Sequence, residues 1–262
     1  MRWRRLVGTT LALGSVACGS TNQPGNSATA GAQAANESGG SSSTIAADTG
    51  SDPPPSAFVC SDLGPLPTDA ASRVCYDFST SSDAAAFTPD GGNWAIRDGG
   101  YAGTGPSADV TCVGAGSLFT ASTLSNFSAA DVRVHVKMTS LNRPDKVLVL
   151  RARDSGNRIE LNFRANYVYD GQASGGDLTI AELVGCQDAT HLDTGVVLIP
   201  HAMLQTLTVD VELRGQNFQV TVDGTVVYNN TLPVATTAGS AGFSVIYDAV
   251  ELYDDFVVET LN

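Results

Sequence analysis

Residues 131–138 read DVRVHVKM and show the pattern that decides the fold. Valine or methionine occupies every second position, and Arg133, His135 and Lys137 occupy the positions between them. Successive side chains of a β-strand point to opposite faces, so this period of two predicts a strand with one buried and one solvent-facing side.

The same alternation recurs along the C-terminal two hundred residues. RIELNFR at 158–164 places Ile159, Leu161 and Phe163 on one face, and LTVDVEL at 207–213 repeats the pattern. Further strands are predicted at 117–122, 146–153, 177–183, 242–247 and 250–259. Residues 82–87 and 201–204 are at most single helical turns. The sequence therefore predicts an all-β fold, a two-sheet antiparallel β-sandwich or jelly roll.

Composition narrows the class of protein. The chain has 262 residues, with 27 Asp and Glu against 14 Lys and Arg and a formal net charge of −13. This acidic balance excludes a basic nucleic-acid binder. A mean hydropathy near zero excludes a polytopic membrane protein and a wholly disordered chain.

The N-terminus predicts export. Arg2, Arg4 and Arg5 precede an apolar run at 6–16, and the small pair Ala17-Cys18 follows. This is the pattern of a signal peptide at 1–17. The run is too short to span a membrane, because a spanning helix needs about 20 apolar residues.

Residues 15–18, SVAC, resemble a bacterial lipobox, although Ser15 stands where leucine is usual. The resemblance implies that Cys18 is lipidated and anchors the mature chain to a membrane. Gly19 after the cysteine, by resemblance to enterobacterial lipoproteins, favours the outer membrane or cell surface. The alternative is an ordinary secreted protein that is cleaved near Ala17.

Residues 18–56 are predicted to be a disordered linker rich in Gly, Ser and Ala. The stretch contains almost no large apolar side chain, so it cannot bury enough surface to offset the entropy of the chain. The folded domain is accordingly expected at 57–262.

Four cysteines lie in the domain: Cys60, Cys75, Cys112 and Cys186. An even number in an exported domain predicts two disulfides, although three pairings are open. Cys60–Cys75 is favoured because it would tie the N-terminal segment to the first strand, which leaves Cys112–Cys186. A metal site is the rival interpretation, but no CxxC or CxxH spacing occurs.

Four segments together resemble the concanavalin A-like lectin/glucanase superfamily, which includes laminin G-like domains. They are VCYDF at 74–78, WAIRDGGY at 94–101, the hairpin FQVTVDGTVVY at 218–228 and YDDFVV at 253–258. The resemblance implies a jelly roll with a structural calcium ion held by Asp77, Gly99 and Asp255, with Asp254 as a substitute ligand. The alternative is an acidic, turn-rich surface without an ion.

The resemblance also raises the question of catalysis. Retaining glucanases of this superfamily carry ExDxxE on one strand, and none of the five domain glutamates opens that motif. The sequence contains no GxSxG, and its three histidines are scattered. A non-catalytic protein is therefore expected. A glycoside hydrolase with an unfamiliar carboxylate pair involving Glu160 or Glu182 remains the alternative.

The charge map points to a candidate ligand-binding face. Of the 11 basic residues at 57–262, eight fall between Arg133 and Arg164. Guanidinium groups bind carboxylate or sulfate in two-pronged fashion, so an acidic glycan is a conceivable ligand. The alternative is a set of cross-strand ion pairs. The candidate ligand-binding residues are Arg151, Arg153, Arg158, Glu160, Asn162, Arg164, Tyr167 and Tyr169.

Together these patterns predict a monomeric, lipid-anchored protein that binds a glycan or extracellular matrix without catalysis. Trp94, the only tryptophan after the signal peptide, could stack on a sugar or belong to the core. A structural or adhesive surface protein that binds another protein is a third possibility.

Overall fold

The computed structural model describes residues 60–105, 112–114, 117–169, 172–191, 197–246 and 248–262. The signal peptide at 1–17, the lipidation of Cys18 and the linker at 18–56 lie outside the described residues. These expectations, with the domain limits at 57–262, stay predictions.

The described chain consists almost entirely of strands. A single 3-10 turn, η1 (Cys60–Leu63), and one helical turn, α1 (Ser81–Ala84), are its helical elements, and no described helix is long and apolar enough to cross a membrane. The strands are β1 (Ala70–Tyr76), β2 (Phe87–Pro89), β3 (Asn93–Arg97), β4 (Gly100–Thr104), β5 (Cys112–Gly114), β6 (Ser117–Leu124), β7 (Val132–Ser140), β8 (Val147–Asp154), β9 (Asn157–Arg164), β10 (Tyr167–Tyr169), β11 (Gln172–Ser174), β12 (Asp177–Val184), β13 (Gln187–His191), β14 (Val197–Leu198), β15 (Leu207–Arg214), β16 (Asn217–Val222), β17 (Thr225–Thr231), β18 (Ser240–Ile246) and β19 (Val250–Leu261).

Two large sheets form a β-sandwich, which confirms the predicted fold class. Sheet I has the order β17-β16-β15-β7-β19-β4-β3, and β1 also pairs with β19. Sheet II has the order β13-β12-β9-β8-β18-β6-β2, with β14 on β12 and β5 on β6. The hairpin β10-β11 stands apart as a two-stranded sheet. Every pairing between described strands is antiparallel, as half-buried alternating strands favour.

The period of two in β7 is realised residue by residue. Val134, Val136 and Met138 are fully buried, whereas Arg133 and His135 are only partly covered. The core contains many such apolar side chains from both sheets. Its aromatic part is formed by Phe78, Phe87, Tyr101, Phe243, Tyr253 and Phe256.

A β-bulge interrupts the alternation of β19. The register against β7 shifts between Asp254 and Val257, and Asp255 adopts a left-handed conformation with φ of 48°. Tyr253 and Phe256 therefore both reach the core, although they are three residues apart. Strict alternation, which the sequence pattern implied for this strand, would have placed these two side chains on opposite faces.

Two tight hairpins turn at Asp-Gly pairs. Asp223 and Gly224 have φ values of 49° and 78°, and Asp98 and Gly99 have 52° and 77°. Positive φ at both central positions defines the type I′ turn, which glycine and aspartate tolerate. These turns connect β16 to β17 and β3 to β4.

Ion pairs cover the outer face of sheet I. Arg133 on β7 contacts Glu212 on β15 and Glu259 on β19, both at 2.8 Å, and Arg73 on β1 contacts Glu259 at 2.6 Å. His135 lies 2.7 Å from Asp210 in the next row. The partly exposed pairs Arg133–Glu212 and His135–Asp210 each contribute about 0–1 kcal/mol, whereas Glu259 is only 5% exposed and is held by both arginines.

The predicted Cys60–Cys75 disulfide is present, with Cα atoms 5.5 Å apart. It joins η1 to β1, so it ties the N-terminal segment to sheet I. Cys186 is also disulfide-bonded. The side chain of Cys112, its expected partner, lies outside the described residues, but β5 and β13 contact each other next to these two cysteines.

Replacing both Cys60 and Cys75 with alanine should lower the free energy of unfolding by about 3 kcal/mol, because the unfolded chain gains the freedom of a 15-residue loop. Urea unfolding of the variant and the wild-type protein measures the difference. A loss below about 1 kcal/mol would contradict a constraining role for this disulfide.

A polar cluster is buried between the sheets at one end of the sandwich. Tyr253 donates its hydroxyl hydrogen to Glu251 Oε2, and the Val147 N–H lies 3.3 Å from the same oxygen. Burial raises the pKa of Glu251 well above its usual value. Nearby, Lys146 Nζ lies 2.9 Å from His201 Nε2, and burial lowers the pKa of Lys146 to about 8.

Glu251→Gln should become progressively more stable than the wild-type protein as the pH rises above the unfolded pKa of a glutamate, about 4.3. A raised pKa means that Glu251 favours the fold below the unfolded pKa of the carboxyl, and this stability is lost as the pH rises towards the folded pKa. The loss is about 1.4 kcal/mol per pH unit within that window, or a few degrees in Tm. Thermal unfolding at several pH values tests this, and a constant offset between the two proteins would refute it.

Candidate functional site

The candidate site lies on the outer face of sheet II. In β9, Ile159, Leu161 and Phe163 enter the core, so Arg158 and Glu160 face away from it. This orientation agrees with the sequence pattern. The expectation of a solvated row was wrong for these two residues, because their exposed fractions are only 2% and 6%.

A cavity of about 500 Å³ opens at this end of the sheet, and we call it the Arg158 pocket. Buried residues form its base and exposed residues form its rim. Its lining consists of Thr88, Pro89, Asp90, Ala121, Thr123, Leu124, Ser125, Phe127, Ser128, Ala152, Arg153, Asp154, Ser155, Arg158, Ala238, Gly239 and Ser240.

Small residues at 238–242, AGSAG, leave room for the pocket. A Cβ atom on Gly242 would lie 2.1 Å from the Ser122 carbonyl oxygen, and one on Gly239 would lie 2.4 Å from the Arg151 carbonyl carbon. The neighbouring backbones therefore approach β18 closely, and no large side chain fills the space above it. Glycines inside a strand mark a close approach of backbone or ligand, so the sequence contains a signal for this part of the pocket. The charge distribution identified only Arg153 and Arg158 of its lining.

The turn between β8 and β9 forms one wall. Asp154 Oδ1 accepts hydrogen bonds from the Gly156 N–H at 2.8 Å and from Asn157 Nδ2 at 2.7 Å. Asn157 Oδ1 accepts from the Gly185 N–H, and the Cys186 N–H donates to the Gly156 carbonyl at 2.9 Å. Because Cys186 is disulfide-bonded, this wall is held to a covalently constrained turn.

Arg158 joins three parts of the pocket. Its Nε donates to Glu160 Oε1 at 2.7 Å, and its Nη1 donates to the Ser155 carbonyl and lies 3.6 Å from Asp90 Oδ2. Asp90 in turn accepts from the Thr120 hydroxyl and the Ala121 N–H. The guanidinium thereby connects β9, the β8–β9 turn and the segment after β2.

The structure separates Arg151 from the other predicted residues. A bulge between Leu150 and Asp154 shifts the register of β8, and Arg151 has a φ of 48°. Its guanidinium donates to the carbonyls of Ala130, Ala235 and Gly215 at 2.6 to 2.7 Å. These bonds occupy its donors at the end of the sandwich, so Arg151 stabilises chain connections there.

The remaining candidates lie in three places. Arg153 is exposed at the rim of the Arg158 pocket. Further along β9, Asn162 Nδ2 donates to Asp145 Oδ1 at 2.8 Å, and Arg164 forms a two-pronged pair with Asp177 on β12. Arg164 therefore forms a cross-strand ion pair, which was the alternative to ligand binding. It lies six residues along the strand from Arg158.

The two tyrosines belong to the separate hairpin. Tyr167 begins β10, and its hydroxyl accepts a hydrogen bond from Ser174 on β11 at 3.3 Å. The side chain of Tyr169 lies outside the described residues. Next to Tyr167, Val168 is 73% exposed, and a shallow cavity of about 310 Å³ adjoins both residues. The hairpin is not part of the Arg158 pocket.

The predicted calcium ligands make other contacts in this structure. Asp77 Oδ1 accepts from the N–H and hydroxyl of Ser79 at 3.0 and 2.7 Å, and Asp255 lies 2.5 Å from Lys137 Nζ. Gly99 lies in the exposed β3–β4 turn. Within the described residues, no group of three or more His, Cys, Asp or Glu could hold a metal ion. Calcium binding stays a prediction.

Trp94 packs against the core instead of projecting as a platform for sugar. Its ring stacks on Tyr101 with centroids 5.2 Å apart, and its Nε1 donates to the Gly91 carbonyl at 3.0 Å. A Cβ atom on Gly103 would lie only 2.6 Å from a Trp94 ring carbon. The absence of a side chain at Gly103 therefore leaves the space that the indole occupies.

No protein-family model matches the sequence, and no curated protein matches it. Among solved structures, the chain is similar to the carbohydrate-binding module CBM66 from Bacillus subtilis, with 18% identity and a TM-score of 0.51 over 67% of this chain and 96% of that one. It is also similar to the Crh5 transglycosylase in complex with NAG, with 12% identity and a TM-score of 0.51 over 74% of this chain and 86% of that one. At these identities the likeness shows the fold alone, which is an antiparallel β-sandwich.

Proposed function

We propose that the protein is a non-catalytic carbohydrate-binding lipoprotein of a bacterial cell envelope, which holds a glycan in the Arg158 pocket. The pocket carries the proposal. Its volume of about 500 Å³ falls within the usual range of small-molecule sites, about 300–1,000 Å³. Its place on the outer face of a sheet lets an extended chain lie across the opening.

The lining has the mixed chemistry that a sugar requires. Phe127 and Pro89 provide apolar surface, while Thr88, Ser125 and Ser128 provide hydroxyls at the exposed rim. A few convergent polar groups in a partly apolar cleft are typical of ligand sites. The solved structures of similar fold include a carbohydrate-binding module and a transglycosylase, which is in keeping with a sugar ligand.

Binding is favoured over hydrolysis by the state of the carboxylates. Glycosidases need one carboxyl group that holds a proton near neutral pH. The hydrogen bonds from Asn157 and Gly156 lower the pKa of Asp154, so this carboxylate stays ionised. Glu160 is paired with Arg158, and Glu182 accepts from the Ala235 N–H at 3.2 Å, so these two glutamates do not form a catalytic pair.

The envelope location rests on the N-terminal sequence. In the proposed arrangement, Cys18 carries the lipid, the linker at 18–56 acts as a tether and the sandwich faces the glycan as a monomer. The disulfide between Cys60 and Cys75 suits an oxidising compartment outside the cytoplasm.

Ala238→Trp should weaken glycan binding at least tenfold, because the indole would occupy the rim of the Arg158 pocket. The full-length protein is applied to an array of bacterial, plant and host polysaccharides, and affinities for each bound glycan are then measured for both proteins. Ala95→Trp places the same side chain on exposed β3 of sheet I and should bind as the wild-type protein does.

The two variants separate the possible failures. Wild-type protein that binds nothing on the array would overturn the carbohydrate function. Equal affinities for wild-type protein and Ala238→Trp, with unchanged Tm values, would instead overturn the assignment of the pocket.

A further inference from the structure

The donor groups of Arg158 are not all used within the protein. The side chain is completely buried, with Nε on Glu160 and Nη1 on the Ser155 carbonyl. Nη2 is also buried and has no hydrogen-bond acceptor among the described residues. A guanidinium that is paired with Glu160, but whose Nη2 has no acceptor among the described residues, therefore belongs to the lining of the Arg158 pocket.

An unpaired nitrogen of this kind is unusual. A buried donor without an acceptor costs about 1–3 kcal/mol, and more when the group is charged. Most buried polar atoms in folded proteins have a partner, so each exception requires an explanation such as a ligand or an ordered water. The position of Arg158 in the lining of an open cavity favours a ligand as the missing acceptor.

The two carboxylates of the lining already have donors. Asp154 accepts from Gly156 and Asn157 through both of its oxygens. Asp90 Oδ1 accepts from the Ala121 N–H and from the Thr120 hydroxyl. These internal donors satisfy hydrogen-bond acceptors of the two carboxylates but do not cancel their negative charge.

A second guanidinium lies at the rim. Arg153 is exposed and lines the same cavity as Arg158, and its charge interacts with that of the neighbouring Asp154. Two arginines, one at the base and one at the rim, thus converge on one space. The overall charge of −13 acts weakly here, because salt screens charges beyond about 8 Å at physiological ionic strength.

We infer that the Arg158 pocket recognises the carboxylate of a uronic acid residue, so that the ligand of the proposed function is an acidic glycan. The carboxylate accepts from Arg158 Nη2 and is neutralised by Arg153. Charge-assisted hydrogen bonds of this type are about twice as strong as neutral ones. The rim hydroxyls are left for the neutral part of the sugar.

The test compares polygalacturonate, alginate and hyaluronate with their carboxyl-reduced forms in 0.15 M NaCl. Reduction replaces each carboxylate by a hydroxymethyl group and leaves the sugar backbone unchanged. The full-length protein should bind at least one acidic polymer tenfold or more tightly than its reduced form. A sulfated galactan tests whether the pocket prefers a carboxylate to a sulfate, which guanidinium groups also bind, and it should bind less tightly than the best acidic polymer.

Arg153→Gln should reduce the preference for the acidic form several-fold, because it removes an exposed guanidinium without disturbing the fold. Arg97→Gln removes an exposed charge from β3 of sheet I and should leave the preference unchanged. Arg158→Lys, checked for an unchanged Tm, should abolish the preference because lysine lacks the second terminal nitrogen.

The outcomes distinguish this inference from the proposed function. Equal binding of acidic and reduced polymers, or binding only of neutral glycans on the polysaccharide array, would overturn carboxylate recognition while the carbohydrate function stands. Stronger binding of sulfated galactan than of every carboxylated polymer would also overturn it. The absence of binding to every glycan on the array would remove the carbohydrate function itself.

Discussion

Val134 on β7, Leu161 on β9 and Phe243 on β18 lie in different strands of the two sheets, and each is completely excluded from water. Burial of these facing apolar surfaces is the constraint on which the rest of the structure depends. A slip of one residue in any strand would turn its apolar set towards solvent, so the burial fixes the register. Where strict alternation would misplace a side chain, as between Tyr253 and Phe256, a bulge restores the inward direction.

The outer faces of the two sheets differ in how their arginines are used. On sheet I, Arg133 and its neighbours form cross-strand ion pairs, which occupy the donor groups of Arg133 within the protein. On sheet II, the small residues at 238–242 and the β8–β9 turn create a depression, and Arg158 is buried beneath it. The same type of side chain thus stabilises the surface on one face and lines a cavity on the other.

Arg158 links the fold to the proposed site. Its bond to Glu160 offsets the cost of burying a charge, and its contacts with Ser155 and Asp90 hold two walls of the pocket in place. Nη2 has no acceptor within the described part of the chain, which costs free energy, and a ligand that accepts a hydrogen bond from Nη2 would remove this cost. Arg158 therefore stabilises the walls of the pocket and also provides the donor that the proposed ligand binds.

The sequence by itself determined the strands and the two-sheet antiparallel architecture, because these features depend on local periodicity, and it favoured the Cys60–Cys75 pairing without excluding the other two. It placed Arg158 and Glu160 on the outward face but did not show their burial. Only the tertiary structure decided that Arg151 leaves this row, that Arg164 is paired with Asp177, and that Asp90 and residues 238–242 join Arg158. These outcomes depend on bulges and on contacts between segments distant in sequence, and periodicity within one strand contains no information about either.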